Sequence, residues 1–170
     1  MGLEIIAIED SDAVGWVEAA TSIGEVTFRS VASMVDNIVA YAGSRRIKLL
    51  HLQAHGNSAG FYVGPDSVTL GTLATTWRGP LARLTPLFDS DPWVDLRACE
   101  VGQNVALVAN LAGIWGTTIV AGRGLQNNLF DLNFGRYVTV KPDGSSETSL
   151  LAPPQVAYNV SRRLFRQITS

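Results

Sequence analysis

The sequence predicts an α/β fold with a mostly parallel sheet covered by helices on both faces, and three observations lead there. Short apolar runs alternate with stretches of helical periodicity, the pattern that parallel βαβ units leave in a chain. The 170 residues are 46% apolar and only 16% charged, which suits one domain with its own core. Three of the apolar runs stop at reactive residues, as strands do when their carboxyl ends line a site.

Taken in order, Leu3 to Ile8 reads as a buried strand. Glu9-Asp10-Ser11-Asp12 then starts a helix with Val14, Val17 and Ala20 on one face. Glu25 to Val31 alternates as a strand does, after which Ser30 or Ser33 caps a helix bearing Met34, Val35, Ile38, Val39 and Ala42, closed by Gly43. Ile47 to Ala54 is the next strand. A turn-rich His55-Gly56-Asn57-Ser58-Ala59-Gly60 and a short Phe61-Tyr62-Val63 strand follow as a small hairpin. From Leu70 to Phe88 the apolar residues recur at helical spacing, but Gly79-Pro80 divides them into two short helices. Trp93 to Ala98 is a strand ending at Cys99, Val105 to Ile114 a helix, and Thr117 to Ala121 a strand. A Gly/Asn-rich loop, a Tyr137 to Lys141 strand, a Pro142-Asp143-Gly144 turn and a Pro153-Pro154 break come next. Residues 1–150 are expected to form the domain. Residues 151–170 form a basic tail whose Arg162, Arg163 and Arg166, beside Leu164, Phe165 and Ile168, suit a packed helix or a docking element for a partner protein.

Composition narrows the function. Thirteen Lys+Arg against fifteen Asp+Glu, without a block of like charge, leave no basic footprint for nucleic acid. No uncharged run reaches the roughly 18 residues of a membrane span, and the first residues lack the basic start of a secretory signal. A cytoplasmic location is expected. The single cysteine excludes an intramolecular disulfide and the paired-Cys spacing of structural zinc sites, and it suits a reducing compartment.

Three strand ends carry reactive side chains: Asp10 and Asp12 after the first, His55-Gly56 after the third, and Cys99-Glu100 after the fourth. An imidazole within hydrogen-bond reach helps a cysteine form its thiolate, and Gly56 frees the backbone to approach a substrate and donate to an oxyanion. His55 and Cys99 terminate strands that a helical connection can bring side by side, so the pair is a candidate catalytic dyad that needs no metal or organic cofactor.

Leu50-His51-Leu52-Gln53-Ala54-His55-Gly56, with Gly60 and Gly64 after it, and Leu96-Arg97-Ala98-Cys99-Glu100-Val101-Gly102 resemble the two signatures of caspase-like cysteine peptidases. The likeness is nearest to bacterial CHAT-type domains and a related caspase-like domain of bacterial surface proteins. It extends from about Ile5 to Val140 and is motif-specific only at the two strand ends and around Gly124 to Asp131. It implies a three-layer caspase-like fold, His55 as general base, Cys99 as nucleophile, the amides of Gly56 and Cys99 as oxyanion hole, and a protein or peptide substrate. In such peptidases the residue two before the nucleophile faces the pocket for the residue preceding the scissile bond. Here it is Arg97, and strand alternation puts Asp95, Arg97 and Cys99 on one side. Two readings of Arg97 follow: it pairs a substrate carboxylate, giving a preference for cleavage after Asp or Glu, or it is neutralised internally by Asp95 or Glu100. Arg123, beyond the fifth strand, would add charge to the same pocket.

Rival readings remain. His51 shares a strand face with Gln53 and His55; it suits a core hydrogen bond better than an orienting role or a His51/His55/Cys99 zinc site. Asp10-Ser11-Asp12-Ala13-Val14 matches the first motif of haloacid-dehalogenase-like phosphatases, but the later Lys and second acidic pair of that chemistry are missing. A catalytically silent caspase-like interaction module is the remaining alternative.

Overall fold

The computed structural model describes residues 2–10, 26–127 and 132–156. Seven strands form the main sheet: β1 (Leu3–Glu9), β2 (Val26–Phe28), β3 (Ile47–Gln53), β7 (Phe88–Arg97), β8 (Thr118–Gly122), β11 (Tyr137–Val140) and β12 (Ser146–Ser149). Their order across the sheet is β12-β11-β8-β7-β3-β1-β2. The five strands from β8 to β2 run parallel, while β11 and β12 join antiparallel at one edge. The chain is therefore α/β with a mostly parallel central sheet. Because β1 is followed by β2 on one side and flanked by β3 on the other, the connections reverse direction beside β1, the kind of place where open α/β sheets bind ligands.

Helix α1 (Val31–Ala42) starts at Ser30, whose side chain accepts from the Ser33 amide while Ser33 bonds back to the Ser30 amide. This reciprocal cap satisfies two otherwise orphaned donors. Gly43 ends the helix at φ 56°, a conformation that costs a side chain energy but not glycine. The Leu70 to Phe88 stretch departs from two separated helices. Helix α2 (Leu70–Thr72), a π turn (Leu73–Trp77) and α3 (Arg78–Ala82) run on continuously, and a 3-10 turn (Thr85–Leu87) leads into β7. Pro80 has no N–H for the carbonyl four residues back, and the wider π turn lies just ahead of it. Helix α4 (Val105–Trp115) is capped by the Asn104 side chain, which accepts from the Leu107 amide at 3.1 Å.

One side of the sheet is apolar. Ile5, Ala7, Leu50, Leu52, Val94, Leu96, Ile119, Ala121, Val138 and Val140 share a single core with Met34, Val35 and Ile38 of α1, Leu81 of α3, and Leu107, Val108 and Leu111 of α4. Trp115 is buried there with its indole N–H donating to the Leu81 carbonyl at 3.0 Å. The described long helices thus lie on one face. The further helices expected at 11–25 and in the 151–170 tail fall on residues outside the description, save for 151–156, which are not helical.

Three more differences from the sequence expectation matter. Strand β7 begins at Phe88 rather than Trp93. The Gly/Asn-rich loop contains a hairpin, β9 (Leu125–Asn127) with β10 (Leu132–Phe134). Polar Ser146–Ser149 forms the edge strand β12, which carries no apolar pattern because it is largely exposed.

Candidate active site

The site is built where β3 and β7 end. Gln53 is paired with Arg97 in the parallel ladder, and the Ala54 amide donates to the Arg97 carbonyl at 3.0 Å. His55 and Cys99 therefore sit at the same distance beyond one cross-strand pair. His55 and Gly56 are not a turn, however. They belong to β4 (His55–Asn57), which pairs antiparallel with β5 (Gly60–Val63), and β5 with β6 (Asp66–Thr69), leaving the turn at Ser58-Ala59.

Gly56 is where the two strand ends meet. A Cβ on it would lie 2.7 Å from the Ala98 Cβ and 3.0 Å from the Cys99 carbonyl oxygen, so only glycine allows this backbone approach. The Asn104 side chain reinforces the junction by donating from Nδ2 to the Ala59 carbonyl at 3.1 Å, tying the cap of α4 to the β4–β5 turn.

Cys99 sits on a sharp bend. Glu100, next in the chain, has φ 58°, and it is the only non-glycine residue with positive φ among the described residues. That conformation costs a side-chain-bearing residue roughly 1–2 kcal/mol. It is held because the Glu100 amide donates to the Gly124 carbonyl at 2.8 Å and the Gln103 side chain donates to the Arg123 carbonyl at 2.9 Å. Strain retained at one residue beside a nucleophilic side chain is a mark of functional sites. The thiol itself is half-buried against β9: Cys99 Sγ donates to the Gln126 carbonyl at 3.7 Å and accepts from the Gln126 amide at 3.4 Å.

His55 is 57% exposed, and its Nε2 lies 3.6 Å from Oε2 of Glu9, whose side chain is only 2% exposed. The Gly64 amide donates to the other Glu9 oxygen at 3.3 Å. Glu9 was legible only as part of an acidic helix start. Its signal is being the last residue of an apolar strand, at the strand end beside the site.

Arg97 and Asp95 take the internal arrangement. Arg97 Nε is 2.5 Å from Asp95 Oδ2, and His51 Nδ1 is 2.8 Å from the same oxygen, with all three side chains nearly buried. His51 Nε2 lies 3.4 Å from Glu4. Burial favours the neutral imidazole, but hydrogen bonds to Asp95 and Glu4 outweigh it and hold His51 above the usual histidine value. Burial likewise pushes the Asp95 carboxyl up, and the Arg97 charge and the His51 hydrogen bond more than offset it, leaving Asp95 below the usual carboxylate value. The charge of Arg97 is thus balanced internally by Asp95. His51 takes the core role and is not gathered with His55 and Cys99; among the described residues no group of three His, Cys, Asp or Glu is placed to hold a metal ion.

Arg123 follows β8, half-buried beside this region. Asp10 is paired through Oδ1 with Arg29 Nε at 3.0 Å, and Asp12 lies outside the described residues. Among the described residues no helix is long and apolar enough to cross a membrane. No family model matches the chain, and comparison with curated proteins and with solved structures finds no significant match.

Proposed function

We propose that the chain is a cysteine hydrolase of caspase-like type, acting on a protein or peptide, with Cys99 as nucleophile and His55 as its general base. The observation that carries the proposal is the approach of the Gly56 backbone to Ala98 and Cys99, which brings the strand ends bearing the only cysteine and one of the only two histidines against each other. The strained elbow at Glu100 supports it, since the bend stops β7 and leaves the thiol at the strand's end. In the reaction, the thiolate formed by proton transfer to His55 attacks a carbonyl, and backbone amides near Gly56 and Cys99 would receive the oxyanion. A three-layer caspase-like architecture belongs to the same proposal.

The preference for Asp or Glu before the scissile bond becomes a weaker part of it, because Arg97 is already engaged by Asp95. A silent interaction module is the second reading. It is favoured by the Cys99 thiol being occupied by the Gln126 backbone and by Leu125 and Phe134, 60% and 69% exposed, on the same hairpin. The phosphatase reading retains only a paired Asp10 among the described residues.

Alkylation of the intact protein by a thiol-directed electrophile, followed by mass spectrometry, tests the proposal. The expected result is that Cys99 reacts faster than a free peptide thiol at pH 7 and that His55→Ala removes the advantage. Equal rates in protein and peptide, or no effect of His55→Ala, would overturn it.

A further inference from the structure

We infer that Glu9 is a positioning residue for His55, making the site a Glu9–His55–Cys99 triad rather than a dyad; this rests on the cysteine hydrolase proposed above. A carboxylate at the end of an apolar strand is costly to bury unless hydrogen-bond partners or an opposite charge meet it. Glu9 is nearly fully buried, and its two oxygens divide their work: the Gly64 amide holds Oε1 at 3.3 Å and Oε2 faces His55 Nε2 at 3.6 Å. The first contact fixes the carboxylate to the backbone that follows β5. The second aims it at one particular nitrogen of an otherwise exposed ring.

The chemical consequence follows from imidazole having two distinct nitrogens. A carboxylate at Nε2 selects the tautomer with its proton there and leaves the lone pair on Nδ1. When the thiol ionises, the S–H bond breaks and its proton goes to Nδ1; Nε2 keeps its own proton, directed at Glu9, and the ring becomes an imidazolium between thiolate and carboxylate. The charges of thiolate and imidazolium sum to zero, and no proton passes to Glu9. Separations somewhat beyond hydrogen-bond range are ordinary in an unliganded site and shorten when substrate excludes water.

The test uses the full chain with Glu9→Gln, Glu9→Asp and His55→Ala. Nitrogen-15 chemical shifts of the His55 ring in the unsubstituted protein should show neutral imidazole protonated at Nε2, and Glu9→Gln should shift the population toward Nδ1–H. Iodoacetamide alkylation, in which the S–C bond forms and iodide leaves, reads the same effect at the only cysteine. Glu9→Gln should slow it about tenfold at pH 7, with Glu9→Asp recovering part of the loss. A ring protonated at Nδ1 in the unsubstituted protein overturns the inference without any variant having to fold. An alkylation rate unchanged by Glu9→Gln but lowered by His55→Ala also overturns it and leaves the dyad standing. A rate unaffected by His55→Ala sinks the hydrolase proposal instead, and the ring shifts then still decide whether Glu9 orients His55.

Discussion

The two faces of the central sheet are buried by different means. On one, Leu50 and Leu52 of β3 are flanked by Ile5 and Ala7 on one side and Val94 and Leu96 on the other, and these residues share one apolar core with α1, α3 and α4. On the other, one cross-strand row reads Ile6, His51, Asp95, Val120 and Thr139, and the next contains Ile8, Gln53 and Arg97. The first face is held by apolar transfer, which tolerates many side-chain choices of suitable volume. The second depends on His51, Asp95 and Arg97 remaining together, because each is nearly buried and the loss of one removes a compensating partner from another. The polar face also runs to the strand ends where Cys99 lies.

The sharpest way to break this contrast is Asp95→Ala. It removes the buried carboxylate that both Arg97 and His51 contact and should cost about 3–5 kcal/mol in denaturant unfolding. Replacing His51 and Asp95 with Leu and Arg97 with Met together should be neutral or stabilising by about 1–4 kcal/mol, since no buried charge is then left alone. A triple variant as unstable as Asp95→Ala would mean that packing, rather than charge balance, dominates that face. Leu50→Ala on the apolar face should cost about 2–5 kcal/mol through the cavity it leaves, with no dependence on pH.

At the junction, Gly56→Ala should destabilise by about 1–3 kcal/mol by forcing Ala98 and Cys99 aside, while lowering Cys99 alkylation more than its stability loss explains.

The polar face should also make stability depend on pH. His51 sits above its unfolded value of 6.5, so its contribution is complete below that value and is lost as pH rises through the higher folded value. Asp95 sits below its unfolded value of 3.8, so its contribution is complete above 3.8 and is lost as pH falls through the lower folded value. Melting temperatures should accordingly fall on both sides of the interval between those values, and His51→Gln should flatten the alkaline side.

The smallest effect concerns the elbow. Glu100→Gly should change stability by no more than about 1 kcal/mol, because relief of the left-handed conformation is offset by the greater freedom of glycine in the unfolded chain, whereas Glu100→Val should be clearly worse.

Much of the fold was legible because local signals agreed with the final arrangement. Ser30 and Gly43 bracket α1, Asn104 caps α4, and the runs at Leu3 to Ile8 and Ile47 to Ala54 are central strands, marked by their apolar residues even though β3 also carries His51 and Gln53. The β9–β10 hairpin and β12 were missed because their residues are mostly polar or exposed, so no apolar alternation marks them as strands. The same holds within the site. His55, Gly56 and Cys99 stood out by residue type, whereas Glu9 and Gln126 became relevant only once β1 and β9 were placed beside them.

By itself, the sequence determined an α/β domain, the order of its principal strands and the two strand ends that carry the reactive side chains. These follow from apolar periodicity and from breakers such as Gly43 and the Cys99-to-Gly102 bend, which act over a few residues. The tertiary structure alone decided that His51 meets Asp95, that Gly56 abuts Cys99, and that a buried carboxylate at Glu9 looks onto His55. Those are pairings between residues far apart in the chain, set by strand register and by the need of each buried polar group for a partner.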